Sequence, residues 1–219
     1  MQFFEFAPDL LDRDKLANGA PPHLPPFLSS AGVFPDLSAI HPGAIVMFAP
    51  LRPGVGQRLI FESQRRKVSA KHAQWTHVGI YVGDGYVCEA MPEGVTVGNV
   101  YSKLQTQRIR FRYHPRIKRD QSSLVAIKAL LRRGGGYGWG RIGAHIQVFL
   151  RRRDLLPRRH ATNMAEDQRH VCSTLCETAM RQAVNLSPFS HPIDSPSPCD
   201  FSISSELVDH EHNWLSFKE

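Results

Sequence analysis

Residues 76–94, "THVGIYVGDGYVCEAMPEG", read as a β-hairpin. Val78, Ile80 and Val82 line one face of its first strand and His77, Gly79 and Tyr81 the other, because successive side chains of a strand point to opposite faces. The turn sets the rest. With Asp84-Gly85 as a two-residue loop, Val82 pairs with Val87 and Ile80 with Glu89, which puts a carboxylate on the apolar face at a large desolvation cost. With Gly83-Asp84-Gly85 as a three-residue loop, Val82 pairs with Tyr86 and Gly79 with Glu89. The apolar face is then Val78, Ile80, Val82, Tyr86, Cys88 and Ala90, and His77 and Glu89 share the opposite face with only Gly79 across from the glutamate. The second register is the expected one. A histidine and a carboxylate on one sheet face suit an oriented general base, although a surface ion pair would look the same in the hairpin alone.

Outward from the hairpin, "HPGAIVMF" places a turn at Pro42-Gly43 and a strand from Ala44 to Phe48. Residues 52–70 mix glycine with charge and read as a loop, with room for a short strand at Leu59 to Glu62. "RIRFRY" at 108–113 alternates basic and apolar residues, as a half-exposed strand does. Three helical patterns follow. The first runs from Ser123 to Arg133 and the second lies in "GRIGAHIQVFLRRR". The third, in "HVCSTLCETAMRQAV", begins near Val171 and ends before Pro188. The tail is irregular, with a short helical turn expected after Ser202. Strands precede helices without alternation, which predicts an α+β fold with an antiparallel sheet and helices grouped on one side. The proline-rich residues 1–40 read as an extension wrapped on the surface, and 41–219 as one domain.

Composition bounds the function. The chain has 219 residues, 42% of them hydrophobic, which suits one full core. Its start, with Glu5 and Asp9, lacks the basic and apolar runs of a cleaved signal, and no apolar stretch approaches the ~18 residues of a membrane span. Synthesis in the cytoplasm is expected, with any export through a specialised secretion system. Cys88, Cys172, Cys176 and Cys199 fit no dense disulfide framework, so free thiols are expected. The net charge of +7, with arginines clustered at 65–66, at 108, 110 and 112, at 132–133, at 151–153 and at 158–159, favours an anionic partner or simply keeps the surface soluble. No motif interleaves aromatics with these arginines, so no nucleic-acid partner is expected.

Cys172 opens the third helix. A thiol at a helix start meets unpaired backbone N–H groups and the positive end of the helix dipole, which stabilise thiolate and can hold an oxyanion. Cys176, one turn further on, reads as packing. His170, Cys172, Cys176 and Cys199 could supply four metal ligands, but they follow no common zinc spacing, and no metal or cofactor is expected. "RRGGGYGWGR" lacks the Lys-Ser/Thr of a phosphate loop and reads as a connection from which Tyr137 and Trp139 could pack over a groove, or as a helix-capping turn.

A histidine opening "HVGIYVGDGYVCEA", followed far downstream by the cysteine of "VCSTLCE", resembles the circularly permuted NlpC/P60 papain-like superfamily. "HPGAIVMF" looks like that family's Gly-Asp-Ile-Val strand with alanine in place of the aspartate, and "SPSPCDFSISSEL" is similar to its terminal Pro-x-Asp-Phe segment. The hairpin also resembles the lecithin retinol acyltransferase branch, where a second histidine stands at the position of Glu89. The resemblance implies a permuted papain-like fold, in which an antiparallel sheet or partial barrel packs against the helix bearing the nucleophile. It implies catalytic roles for Cys172 as nucleophile, His77 as base and Glu89 as the residue that orients the imidazole. The activity implied is that of a cysteine amidase or endopeptidase on bacterial cell-wall peptides, with an acidic peptide or wall polymer as substrate. A delivered toxin would bring a secretion machine and an immunity protein as partners. The alternatives are a lipid-directed acyl hydrolase or acyltransferase, and a catalytically idle binding module.

Overall fold

The computed structural model describes residues 33–135 and 171–216. In chain order the described strands are β1 (Val33–Pro35), β2 (Ile45–Pro50), β3 (His77–Gly83), β4 (Tyr86–Met91), β5 (Gly94–Asn99), β6 (Gln107–Tyr113), β7 (Val208–His210) and β8 (Trp214–Ser216). The described helices are α1 (Val55–Gln64), α2 (Ala70–Ala73), α3 (Val100–Lys103), α4 (Arg119–Leu130), α5 (Cys172–Val184) and α6 (Pro198–Ile203). Six strands form one antiparallel sheet in the order β5-β4-β3-β2-β6-β7, and β1 pairs with β8 as a separate ribbon. The fold is mixed α+β, as expected. The six-stranded sheet is open and does not close into a barrel.

Apolar residues cover both faces of this sheet. On one face Ile45, Met47, Val78, Ile80 and Cys88 pack with Val125 and Ala129 of α4 and with Leu175, Cys176 and Met180 of α5. On the other, Val46, Phe48, Tyr81, Val87 and Phe111 meet Phe34, Leu37 and Ile40 from the 33–40 segment, with Tyr101, Leu104 and Leu215. A central strand covered on both sides needs an unbroken apolar run, and "AIVMF" supplies it. Each large side chain so buried contributes roughly 1.5–3 kcal/mol. Phe34, Leu37 and Ile40 are thus built into the core, and Phe34 lies on a strand.

The hairpin resolves its two candidate registers with a bulge. Asp84 and Gly85 both have positive φ (50° and 80°) and form a two-residue turn, with Gly83 opposite Tyr86. The register then shifts between Tyr81 and Gly83, so that Tyr81 faces Val87 and Ile80 faces Cys88. One extra residue in β3 moves every later side chain to the favourable face. The pairing near the turn therefore differs from the expected three-residue loop, while the Ile80–Cys88 register agrees with it.

Other expectations need correction. Residues 55–64 are a helix and not a loop: the Gln57 side chain caps the Gly54 N–H at 2.9 Å. Its buried anchor is polar, because the Gln64 amide donates to the carbonyls of Ala73 (2.8 Å) and Trp75 (2.9 Å) and accepts from the Cys199 N–H (2.9 Å). α4 begins at Arg119 with Lys118 as its cap, ahead of the expected Ser123, and Ser122 donates back to the Arg119 carbonyl at 2.8 Å. The helical turn of the tail is α6, which ends at Ile203 where a turn after Ser202 was expected to begin, and Asp200 accepts from the Ser197 N–H at its start (2.7 Å). The basic face of β6 is only partly solvated: Arg108 is exposed, but its two neighbours are engaged. Arg110 grips Asp209 with two nitrogens (2.6 and 2.8 Å), and Arg112 is buried, donating to the carbonyls of Phe201 and Leu207. Those two arginines tie β6 to β7 and α6. The pattern expected at 140–153, Tyr137, Trp139, His170 and the arginines at 151–153 and 158–159 lie outside the described residues.

Candidate active site

β3 begins at the end of the sheet where β4 finishes, so His77 and Glu89 meet across adjacent strands. The His77 Nε2 lies 2.8 Å from the Glu89 Oε2 and donates to it. Gly79 makes the approach possible. A Cβ there would come within 2.6 Å of a Val87 methyl, 2.9 Å of the Cys88 carbonyl oxygen and 3.3 Å of the Glu89 Cβ. The imidazole ring also lies against Phe48, centroid to centroid 5.7 Å. With Nε2 engaged by the carboxylate, Nδ1 is the ring nitrogen left for another partner.

That partner comes from α5, which packs on β3 and β4. Its N-terminal residue is Cys172, and Thr174 fixes the helix start by accepting from the Val171 N–H at 3.1 Å. The Cys172 thiol lies within electrostatic and hydrogen-bonding reach of the His77 imidazole, and the backbone N–H groups of Val78 and Ser173 also favour its thiolate. Cys172, His77 and Glu89 therefore form one chain of contacts.

The electrostatics follow from these contacts. Burial opposes the imidazolium, but the charge and hydrogen bonds of Cys172 and Glu89 more than offset it and carry the His77 pKa up to about 9. Burial also opposes the thiolate, yet the His77 charge and hydrogen bond, with the two backbone N–H groups, bring Cys172 below the ordinary thiol value. The pair thus favours thiolate and imidazolium over thiol and imidazole. Glu89 is 2% exposed, and although burial pushes its pKa up, His77 and Lys103 hold it below the usual carboxylate range. The solvated strand glutamate that the hairpin alone also allowed is not what the structure contains.

The other cysteines are of a different kind. Burial raises Cys88 to about 11, Cys199 to about 11 and Cys176 well above its ordinary value. Cys199 is fully buried in α6 and not in an exposed tail, because Phe201 beside it packs on Phe189 at 4.8 Å and pulls the segment into the core.

The fold can be set beside known structures. The crystal structure of the metalloprotein YiiX from Escherichia coli O157:H7, DUF1105, superposes with a TM-score of 0.54 over 80% of this chain and 99% of that one, at 13% identity. The fold is YiiX-like. No protein-family model and no curated protein sequence matches the chain. "Metalloprotein" describes that neighbour. Among the described residues of this chain no group of three or more His, Cys, Asp or Glu is placed to hold a metal ion, and the donors of His77, Glu89 and Cys172 are turned on one another.

Sequence reading missed three contributors. Lys103 of α3 reaches the second carboxylate oxygen of Glu89, Nζ to Oε1 2.8 Å. Gly98 leaves the space for that oxygen, since a Cβ there would stand 2.7 Å from it. The Val78 N–H serves the sulfur. Asn99, which accepts from the N–H groups of Tyr101 (2.8 Å) and Ser102 (3.3 Å), is a readable helix cap ahead of Lys103. Nothing local in the sequence joins that turn to Glu89.

Proposed function

We propose that this protein is a cysteine-dependent acyl hydrolase of the circularly permuted papain-like type, an amidase or endopeptidase acting on peptides of the bacterial cell wall. The observation that carries the reading is the contact chain from Cys172 at a helix start, through His77, to the buried carboxylate of Glu89. In this mechanism the Cys172 thiolate attacks the acyl carbonyl, forming a C–S bond. The negative charge that develops on the carbonyl oxygen is met by N–H groups at the start of α5. The His77 imidazolium then gives its proton to the leaving amine as the C–N bond breaks. Water, its proton taken by the now neutral imidazole, hydrolyses the thioester and returns the thiolate. Glu89 keeps the ring oriented and stabilises its positive form throughout. The order of histidine before cysteine along the chain, and the YiiX-like fold, support the permuted arrangement. The net charge of +7 supports an acidic polymer as substrate.

A second reading, hydrolysis or transfer of a lipid acyl ester, draws support from the outer side of α4 and its C-terminal cap, where Leu124, Ile127 and Leu131 stand 46%, 49% and 71% exposed. One experiment separates the readings. The full chain is incubated with muropeptides and, separately, with phospholipid vesicles, and the products are read by mass spectrometry beside the Cys172→Ala variant. New peptide ends that require Cys172 support the wall-peptide reading. Released acyl chains that require Cys172 replace it with the lipid reading. No product from either, with the protein folded, replaces both with a binding role.

A further inference from the structure

The contact chain does not stop at Glu89. Its Oε2 accepts from His77 and its Oε1 accepts from Lys103, each at 2.8 Å, so the two oxygens are shared between a base and an ammonium. The Lys103 side chain is 16% exposed and the Glu89 side chain 3% exposed, which sets this pair apart from the solvated surface bridges that contribute little. Three features aim the lysine. Asn99 caps the single turn that carries it, Tyr101 in that turn is buried, and the Lys103 Nζ stands 5.1 Å from the centre of the Phe48 ring, the ring that also flanks His77. Gly98 supplies the opening. A Cβ there would press on the Glu89 Oε1 and lie 3.6 Å from the Lys103 Cε.

Counting charge along the chain shows what the lysine does. Thiolate, imidazolium and carboxylate alone sum to −1 in a largely buried site, where an uncompensated charge is costly. With the ammonium the four alternate in sign and sum to zero. We propose that Lys103 is a positioning residue of this site, the group that lets Glu89 remain a carboxylate while Cys172 is a thiolate. The inference rests on the thiolate–imidazolium reading given above. Without the ammonium, one of two things follows. Either Glu89 takes a proton and ceases to stabilise the imidazolium, or it stays charged and repels the thiolate. Both raise the pH at which the thiolate forms. Among the described residues, the other ionisable groups around these contacts are Cys88 beside Glu89 on β4, Cys176 on α5 and Arg133, whose charge acts on Cys88. Burial keeps both thiols protonated in the range concerned.

The test needs no substrate. The rate of Cys172 alkylation by iodoacetamide is followed against pH for the full chain and for Lys103→Gln, Lys103→Met and Lys103→Arg, with site occupancy read by peptide mass spectrometry and folding by thermal melts. Gln keeps a hydrogen-bond donor without the charge. Met keeps the aliphatic stem over Phe48 and serves if the Gln variant does not fold. The expected result is an acid limb displaced upward by about one pH unit in the neutral variants, a roughly tenfold slower reaction at a fixed pH on that limb, and a wild-type limb in the Arg variant. Coincident limbs in the wild type and the folded neutral variants would overturn the role of Lys103. A wild-type Cys172 that alkylates no faster than an ordinary thiol on its acid side would instead overturn the thiolate–imidazolium reading itself. Lowered melting temperature with an unmoved limb would make Lys103 a merely structural residue.

Discussion

His77 and Glu89, twelve residues apart in the chain, meet at 2.8 Å across two paired strands, with the carboxylate 2% exposed. A buried carboxylate on an imidazole is a different object from a surface ion pair. It cannot be removed without leaving His77 and Lys103 short of a partner. Substitution should therefore cost both turnover and stability. Glu89→Gln keeps reach and size but loses the charge, and Glu89→Ala loses both. Turnover is expected to fall in the order wild type, Gln, Ala, by about 10- to 1000-fold overall. The Ala variant should also lose roughly 3–5 kcal/mol of stability, because one partner of a buried charged pair is gone. Turnover numbers and denaturant midpoints for the three proteins check it. Full activity in the Ala variant would reduce the site to a Cys-His dyad.

Thiol chemistry should single out Cys172. Its thiolate is favoured, while burial holds Cys88, Cys176 and Cys199 protonated. A limiting dose of iodoacetamide near neutral pH is expected to label Cys172 first, read by peptide mass spectrometry. Labelling that begins at Cys199 would contradict both the depressed thiol value and the burial of α6.

The pH dependence of turnover follows from the same pair. As pH rises through the lowered Cys172 value, thiolate forms and activity climbs. As pH rises through about 9, His77 loses the proton it must give to the leaving group, and activity declines. The expected profile is a bell whose alkaline limb lies near 9. A profile of kcat/KM that falls instead between pH 6 and 7, where an unperturbed imidazole titrates, would show that His77 is not held as an imidazolium.

Gly98 tests the space around the carboxylate. The Cβ of Gly98→Ala would stand 2.7 Å from the Glu89 Oε1, in the gap where Lys103 also reaches. The carboxylate has to move, so kcat should drop by at least about tenfold. KM should change little, since the substituted atom lies behind the imidazole and not on the thiol. Steady-state kinetics on one substrate reads the split.

Gln64 carries a structural prediction. Its amide satisfies two carbonyls of the 73–75 segment and the N–H of Cys199 from a distant one, and it is 1% exposed. Gln64→Leu keeps the volume and leaves those three groups unpaired, each at a cost of about 1–3 kcal/mol. A loss of several kcal/mol in chemical denaturation is expected, without a change in the alkylation profile of Cys172.

Local pattern was enough for much of this. Alternation in 76–91 defines two strands and puts His77 and Glu89 on one face, because side-chain direction has a period of two and a buried charge on the apolar face is too costly to keep. The helix at 172–184 and its N-terminal cysteine were legible from apolar spacing and from the stop before Pro188. Other features depended on partners far away in the chain. Helix 55–64 is anchored by a glutamine whose bonds reach residues 73, 75 and 199, partners that its own stretch of sequence does not reveal. Arg110 and Arg112 read as a solvated basic face until β7 and α6 supplied Asp209 and two carbonyls. The bulge at Val82 was invisible because a plain three-residue loop gives the same Ile80–Cys88 pairing without it, and the two arrangements differ only next to the turn. The fourth member of the site belongs to this second group. Glu89, Gly98 and Lys103 come together through strand pairing and a capped turn, and a charge's neighbours are set by the folded surface around it and not by its position in the chain.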